Sequence, residues 1–109
     1  MSEIKKITEK LIAFRDERDW AQFHNPKDLA IALNIETSEL LEIFLWREHE
    51  TADKEKVIEE LADVFAYAFL LAEKYNLNVE NIVLSKIEKN AAKYPIDKAK
   101  GTSKKYSDL

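Results

Sequence analysis

Apolar residues that recur at intervals of three and four constrain this chain more than any other feature. Ile4, Ile7, Leu11 and Phe14 fall on one face of a helix, with charged residues around the rest of each turn. The same period returns in Leu29, Leu33, Leu40 and Ile43, and again in Val57, Leu61, Val64, Ala68 and Leu71. No segment alternates with the period of two that a half-buried strand needs. Start and stop signals separate the periodic segments. The first helix is expected from about Glu3 to the Asp19-Trp20 region. Asn25 before Pro26, with Asp28 in the next turn, caps a second helix that can reach Trp46 or beyond. Thr51 with Glu55 opens a third, running to Tyr75. Asn78 caps a fourth, from Val79 to about Tyr94, and Pro95 stops it because the residue before proline disfavours the helical region. The expected fold is all-α, an antiparallel bundle of about four helices. Residues 1–96 read as a single domain and 97–109 as a Lys-rich C-terminal tail, mobile or docked.

Composition narrows function by exclusion. The 109 residues hold one glycine, Gly101, so neither the Walker loop nor the dinucleotide fingerprint can be built. Cysteine is missing, which removes disulfides, thiolate metal sites and cysteine nucleophiles and makes the cytoplasm the expected location. The first ten residues are charged and polar, and no apolar run nears the roughly 18 residues needed to cross a bilayer, so neither signal peptide nor membrane helix is expected. Seventeen Lys and Arg against 21 Asp and Glu leave a net charge of −4, a poor footprint for DNA or an anionic membrane. No nucleic-acid or membrane partner is expected.

The informative anomaly is a set of acids where leucines belong. Projected at about 100° per residue, Glu36 and Glu39 lie inside or against the apolar stripe of the second helix, and Glu60 and Asp63 do the same on the third. Glu42 and Glu59 fall at the polar border instead. Ionised carboxylates facing a core are costly, and four converging from two antiparallel helices repel one another unless something neutralises them. Ion pairs with Lys56, Lys74 or Arg47 would do so. A divalent cation would also, and an all-oxygen donor set at i, i+3 spacing suits Mg²⁺ or Mn²⁺ better than zinc. On the fourth helix Lys86, Asn90 and Tyr94 project to the inward side in a row, a ladder of donors for phosphate oxygens and a sugar. Trp20, Phe23, His24 and Trp46 are aromatic candidates to receive a flat base by stacking. His49 reads as surface loop.

At these residues the sequence resembles the all-α nucleoside triphosphate pyrophosphohydrolases, the MazG-like group, and most closely their dCTP pyrophosphatase branch. That family's E-x-x-E followed by E-x-x-D is matched by Glu36 to Glu39 and by Glu60 to Asp63. The F-H-x-P segment (Phe23 to Pro26), E-L-x-E-x-F-x-W (Glu39 to Trp46), S-K-x-x-K-N-x-x-x-Y-P (Ser85 to Pro95) and K-Y-x-D-L (Lys105 to Leu109) look like the same branch. The resemblance implies cleavage between the α- and β-phosphates, with Mg²⁺ held by Glu36, Glu39, Glu60 and Asp63. It further implies that one of Glu36 and Glu39 orients or deprotonates the attacking water. By the same matching Trp20, His24 and Trp46 form the base pocket, and Lys86, Asn90, Tyr94, Lys104 and Lys105 meet phosphate or sugar. It implies a homodimer or homotetramer with shared sites.

Three other readings compete. The stretch Asp28 to Leu41 has the spacing of a DNA-binding helix-turn-helix with Asn34 at its tight turn, but its recognition helix would carry Glu39, Glu42 and Glu48 against Arg47 alone. A di-iron carboxylate bundle needs E-x-x-H, and Ala21 and Trp46 stand three before the two histidines. A non-catalytic helical interaction module would show no metal dependence.

Overall fold

The computed structural model describes residues 2–109. Four long helices, α1 (Glu3–Glu17), α2 (Pro26–Glu42), α3 (Lys54–Lys74) and α4 (Val79–Lys93), precede a one-turn helix, α5 (Ile96–Ala99). Single 3₁₀ turns occupy Ala21–Phe23, His49–Thr51 and Tyr106–Asp108, and there is no strand among the described residues. The segment after Pro95 thus carries local structure of its own. Among the described residues no helix is long and apolar enough to cross a membrane.

Two compact units divide the chain, one ending at Leu77 and the other running from Asn78 to Leu109. In the first, α3 packs chiefly on α2 and also on α1. Leu29, Leu70 and Ala72 are its buried apolar residues, a thin core for so many apolar side chains. Glu36 of α2 faces Glu60 and Asp63 of α3, while Glu42 shares a cleft with Lys56, so numbering rises on one helix as it falls on the other. The hairpin is antiparallel, as expected.

Helix ends show how a chain with one glycine stops its helices. After α1, Asp19 takes a left-handed φ of 55°, its amide bonds Asp16 O at 3.1 Å and the Trp20 amide bonds Arg15 O at 3.0 Å. After α3, Asn76 at φ 54° does the same through Glu73 O, and Leu77 bonds Ala72 O. Both are Schellman ends in which Asp or Asn replaces glycine, the two residues best able to stand in for it. At the starts, Asn25 accepts from the Asp28 amide at 2.8 Å and Asn78 from the Asn81 amide at 3.0 Å. Asp53, not Thr51, caps α3 by accepting from the Glu55 amide, because the Thr51 hydroxyl is turned back onto Glu48 O at 2.8 Å.

Two further expectations are corrected. Helix α2 ends at Glu42 instead of reaching Trp46: the amides of Ile43, Phe44 and Leu45 tighten onto carbonyls three residues back, and Trp46 then takes φ 62°. Nor is there a turn at Asn34. The hydroxyls of Thr37 and Ser38 both donate to Asn34 O, at 2.8 and 2.9 Å, within one unbroken helix, so the tight turn of a helix-turn-helix is not formed.

In the second unit, Ile82, Val83, Leu84 and Ile87 on α4 are all 43–60% exposed. Tyr94 ends α4 with its ring edge-on to Tyr106 at 6.0 Å, and the Lys93 ammonium lies 4.9 Å from the Tyr106 ring centroid.

Candidate active site

Helical spacing delivers the acids to one seam. On α3, Glu60 and Asp63 are one turn apart on the face that meets α2, and α2 presents Glu36 to them. Carboxylate oxygens of Glu36, Glu60 and Asp63 all lie within 4.8 Å of one another, with Glu36 and Glu60 half-buried and Asp63 exposed. Glu39 stands beside this trio, half-buried, and lines a cleft of about 460 Å³ together with Glu60, Glu42, Ile43, Arg47, Lys56 and Glu59.

Among the described residues no ion pair neutralises this seam. Among the described residues the ion pairs join Arg15 to Asp16 and Glu73, Arg18 to Glu17 and His49 to Glu50; Lys56, Lys74 and Arg47 make none within 4 Å. Glu36 Oε2 and Glu60 Oε2 are buried with no hydrogen-bond partner at all. The protonation equilibria record the crowding. Burial first, then the closeness of the Glu60 and Glu39 carboxyls, then the charges of Glu39 and Asp63 raise Glu36 to about 7. Burial raises Glu60 as well, and Glu39 and Asp63 add to it. Orphaned hard oxygens converging from two helices fit a divalent cation, with Glu36, Glu60 and Asp63 as the nearest ligand set and Glu39 within the same neighbourhood.

One turn beyond Asp63, Tyr67 is half-buried, and its phenol is raised by burial and then by the charges of Glu36, Asp63 and Glu39. Its ring meets His24 edge-on at 6.5 Å. His24 is half-buried with Nδ1 buried and unpartnered, and burial, then Arg15 and Lys74, lower its pKa. Its imidazole therefore keeps hydrogen-bonding capacity unused. Trp20, 43% exposed, packs edge-on to Phe14 at 5.8 Å. Trp46 is 99% exposed in the left-handed region, a costly conformation for a bulky residue. Because the 17 residues of α2 span about 25 Å, Trp20 and His24 lie at one end of that helix and Trp46 beyond the other. A single chain does not bring the three into one pocket.

The remaining candidates belong to the second unit. Lys86 and Asn90 are exposed on α4, Tyr94 is half-buried against Tyr106, and Lys104 and Lys105 are exposed after α5. Sequence reasoning missed Tyr67 as a site residue, although its place at i+4 from Asp63 on an apolar stripe was the available signal. It also missed Arg15, buried at 9% side-chain exposure with its guanidinium 3.5 Å from Glu73.

Known proteins are similar to this chain in sequence and fold. A MazG-like family model matches residues 31–109. dCTP pyrophosphatase 1 of Rattus norvegicus and that of Homo sapiens are each 36% identical to the chain over 104 residues, 88% of its length. The chain spans 61% of the length of either relative. A pyrophosphatase from Archaeoglobus fulgidus, solved by crystallography, is 38% identical and superposes with a TM-score of 0.81, covering 87% of this chain and 94% of that one. Matched over a stretch that holds both acid pairs, and sharing its fold with that pyrophosphatase, the chain belongs to the MazG-like family.

Proposed function

We propose that the chain is a nucleoside triphosphate diphosphatase that hydrolyses free nucleotides between the α- and β-phosphates. Water adds its oxygen to the α-phosphorus, the bridging oxygen leaves with the β-phosphorus, and the products are a nucleoside monophosphate, pyrophosphate and a proton. The observation that carries this reading is the trio of carboxylates within 4.8 Å, none of them in an ion pair within 4 Å among the described residues. Glu36, Glu39, Glu60 and Asp63 would hold Mg²⁺, with Mn²⁺ as a substitute. When bound, such an ion screens the triphosphate charge and makes bound water more acidic. Of the chain's own groups, one of Glu36 and Glu39 orients or deprotonates the attacking water.

Names of the relatives support a dCTP-like pyrimidine deoxynucleotide as substrate. His24 offers its half-buried imidazole to a base edge, and Trp20 and Trp46 offer aromatic faces. Since one chain keeps Trp46 away from His24, Trp46 of a second copy completes the base pocket in a homodimer or homotetramer. The exposed apolar residues Ile31, Ile35, Ile58 and Phe65 give such an assembly surface to bury. Lys86, Asn90, Tyr94, Lys104 and Lys105 contact phosphate and sugar, residues 1–96 work as the catalytic domain with 97–109 as its basic extension, and the activity belongs to the cytoplasmic nucleotide pool. A panel of nucleoside triphosphates incubated with Mg²⁺ and resolved by ion chromatography tests the reading. Monophosphate and pyrophosphate are expected, fastest from dCTP; orthophosphate with a diphosphate product overturns it.

A further inference from the structure

Groups able to touch a nucleotide come in a fixed order along α3. Tyr67, with His24 against its ring, stands one turn beyond Asp63; Glu60 stands one turn before Asp63, and Lys56 one turn before Glu60. These four share one helix face, and each step is about 5 to 6 Å. The antiparallel α2 repeats the order, with His24 ahead of its start, Glu36 and Glu39 along its length and Arg47 past its end. Aromatic groups mark one end of the seam, acids the middle, and two cations the other end. The cleft lies toward the cationic end, where Arg47 and Lys56 line it together with Glu39 and Glu60.

Neither cation is spent on the protein. Carboxylates outnumber them in the cleft, yet among the described residues no ion pair within 4 Å involves Arg47 or Lys56. We propose that Arg47 and Lys56 form the seat of the leaving pyrophosphate, which they take as its magnesium complex. The proposal rests on the pyrophosphohydrolase reading and deepens it. Arg47 brings a planar fork that matches two phosphate oxygens, and Lys56 a compact charge in the first turn of α3, where the helix dipole also favours an anion. The acids lining the same cleft repel bare pyrophosphate, so the seat admits it only with its cation. The order along the seam then accounts for the bond that is cut. With the base at His24 and Tyr67 and the β- and γ-phosphates on Arg47 and Lys56, the α-phosphorus falls over the acids.

Calorimetric titration of pyrophosphate into the whole chain, with and without excess MgCl₂, tests the seat apart from turnover. Wild type binds pyrophosphate with Mg²⁺ and loses it in chelator. Arg47→Gln and Lys56→Gln each weaken that binding about tenfold, the size of one charge-assisted hydrogen bond. Lys10→Gln, the same charge loss on α1, stays within about twofold of wild type because a distant exposed charge is screened. Affinity for dCMP is kept in both cleft variants, since base and α-phosphate lie elsewhere on the seam. Pyrophosphate binding that is unchanged in both variants, or that falls in step with dCMP binding, overturns the proposal. Product analysis of wild type separates the two levels. If triphosphate yields diphosphate and orthophosphate, or is not cut, the broader reading fails. If monophosphate and pyrophosphate form but the variants hold pyrophosphate as tightly as wild type, the seat alone fails.

Discussion

Helix α3 meets an acidic problem near each end and solves it in opposite ways. At its last turn Glu73 faces Arg15 of α1, whose guanidinium is buried and 3.5 Å away. In its first half Glu60 and Asp63 face a third acid, Glu36, and among the described residues none of the three is in an ion pair within 4 Å. The first arrangement sets opposite charges of two helices against each other, by charge alone and without a hydrogen bond between Arg15 Nη1 and Glu73 Oε2. The second does the reverse, since the repulsion and desolvation among its acids weigh against the metal-free fold. A chain that places an arginine opposite one carboxylate leaves three others open to a charge arriving from solution.

The largest expected effect lies in turnover. Glu60→Gln removes a charge from the seam and should lower triphosphate hydrolysis by a factor on the order of 10² to 10³, whereas Glu73→Gln, assayed well below its melting temperature, should stay within about threefold of wild type. Steady-state rates of the two variants check it, and equal losses would erase the distinction between the two ends. Stability should respond the other way. Arg15→Ala leaves a partly buried acid without its partner and should cost about 2 to 3 kcal/mol, a fall in Tm of roughly 10 to 20 °C that is the same in chelator and in Mg²⁺. A Tm that Arg15→Ala leaves untouched would mean the pair holds nothing together. Smaller still, Asp63→Asn should leave the metal-free Tm unchanged or raise it by about 1 kcal/mol, some 4 to 8 °C, while abolishing the stabilisation wild type gains from Mg²⁺.

The smallest effect is a slope. Glu36 titrates near 7 in the folded chain against 4.5 as an isolated group, so the folded state binds more protons between those values. Metal-free stability from this group is therefore greatest below about pH 4.5 and declines as pH rises toward 7, beyond which the loss is complete. His24, lowered from 6.5, works oppositely: it costs stability as pH falls below that value. Subtracting the Tm profile of Glu36→Gln from that of wild type between pH 5 and 8 cancels His24 and leaves the Glu36 slope. A flat difference profile would remove the charge-crowding account of the seam.

Much of this comparison was written in local spacing, and part of it was not. Apolar periods and the Asn25 and Asn78 caps marked four helices, and the E-x-x-E and E-x-x-D pairs stood out because they interrupt apolar stripes. The end of α2 was hidden because Ile43, Phe44 and Leu45 continue an apolar run with no glycine or proline to punctuate it. Arg15 was hidden for a different reason. On its own helix it is one more charge after Phe14, and only the distant Glu73 makes it a buried partner. Tyr67 likewise passes as a core aromatic until the fold sets His24 against it. Local signals reveal which residues break a pattern, but which of them find partners is decided by contacts between segments far apart in the chain.

The exposure of Trp46 carries an optical consequence. Of the two tryptophans, Trp20 leans on the edge of Phe14 while Trp46 stands in water on every side. The emission of the free chain is accordingly a sum of a partly shielded indole and a fully hydrated one, and the hydrated one responds to whatever covers it. A stacking base would quench it, and an apolar surface from a second copy would shift it to shorter wavelength. With Trp20→Phe in place, the chain becomes its own fluorescent gauge of both events, needing no dye and leaving the acid seam untouched.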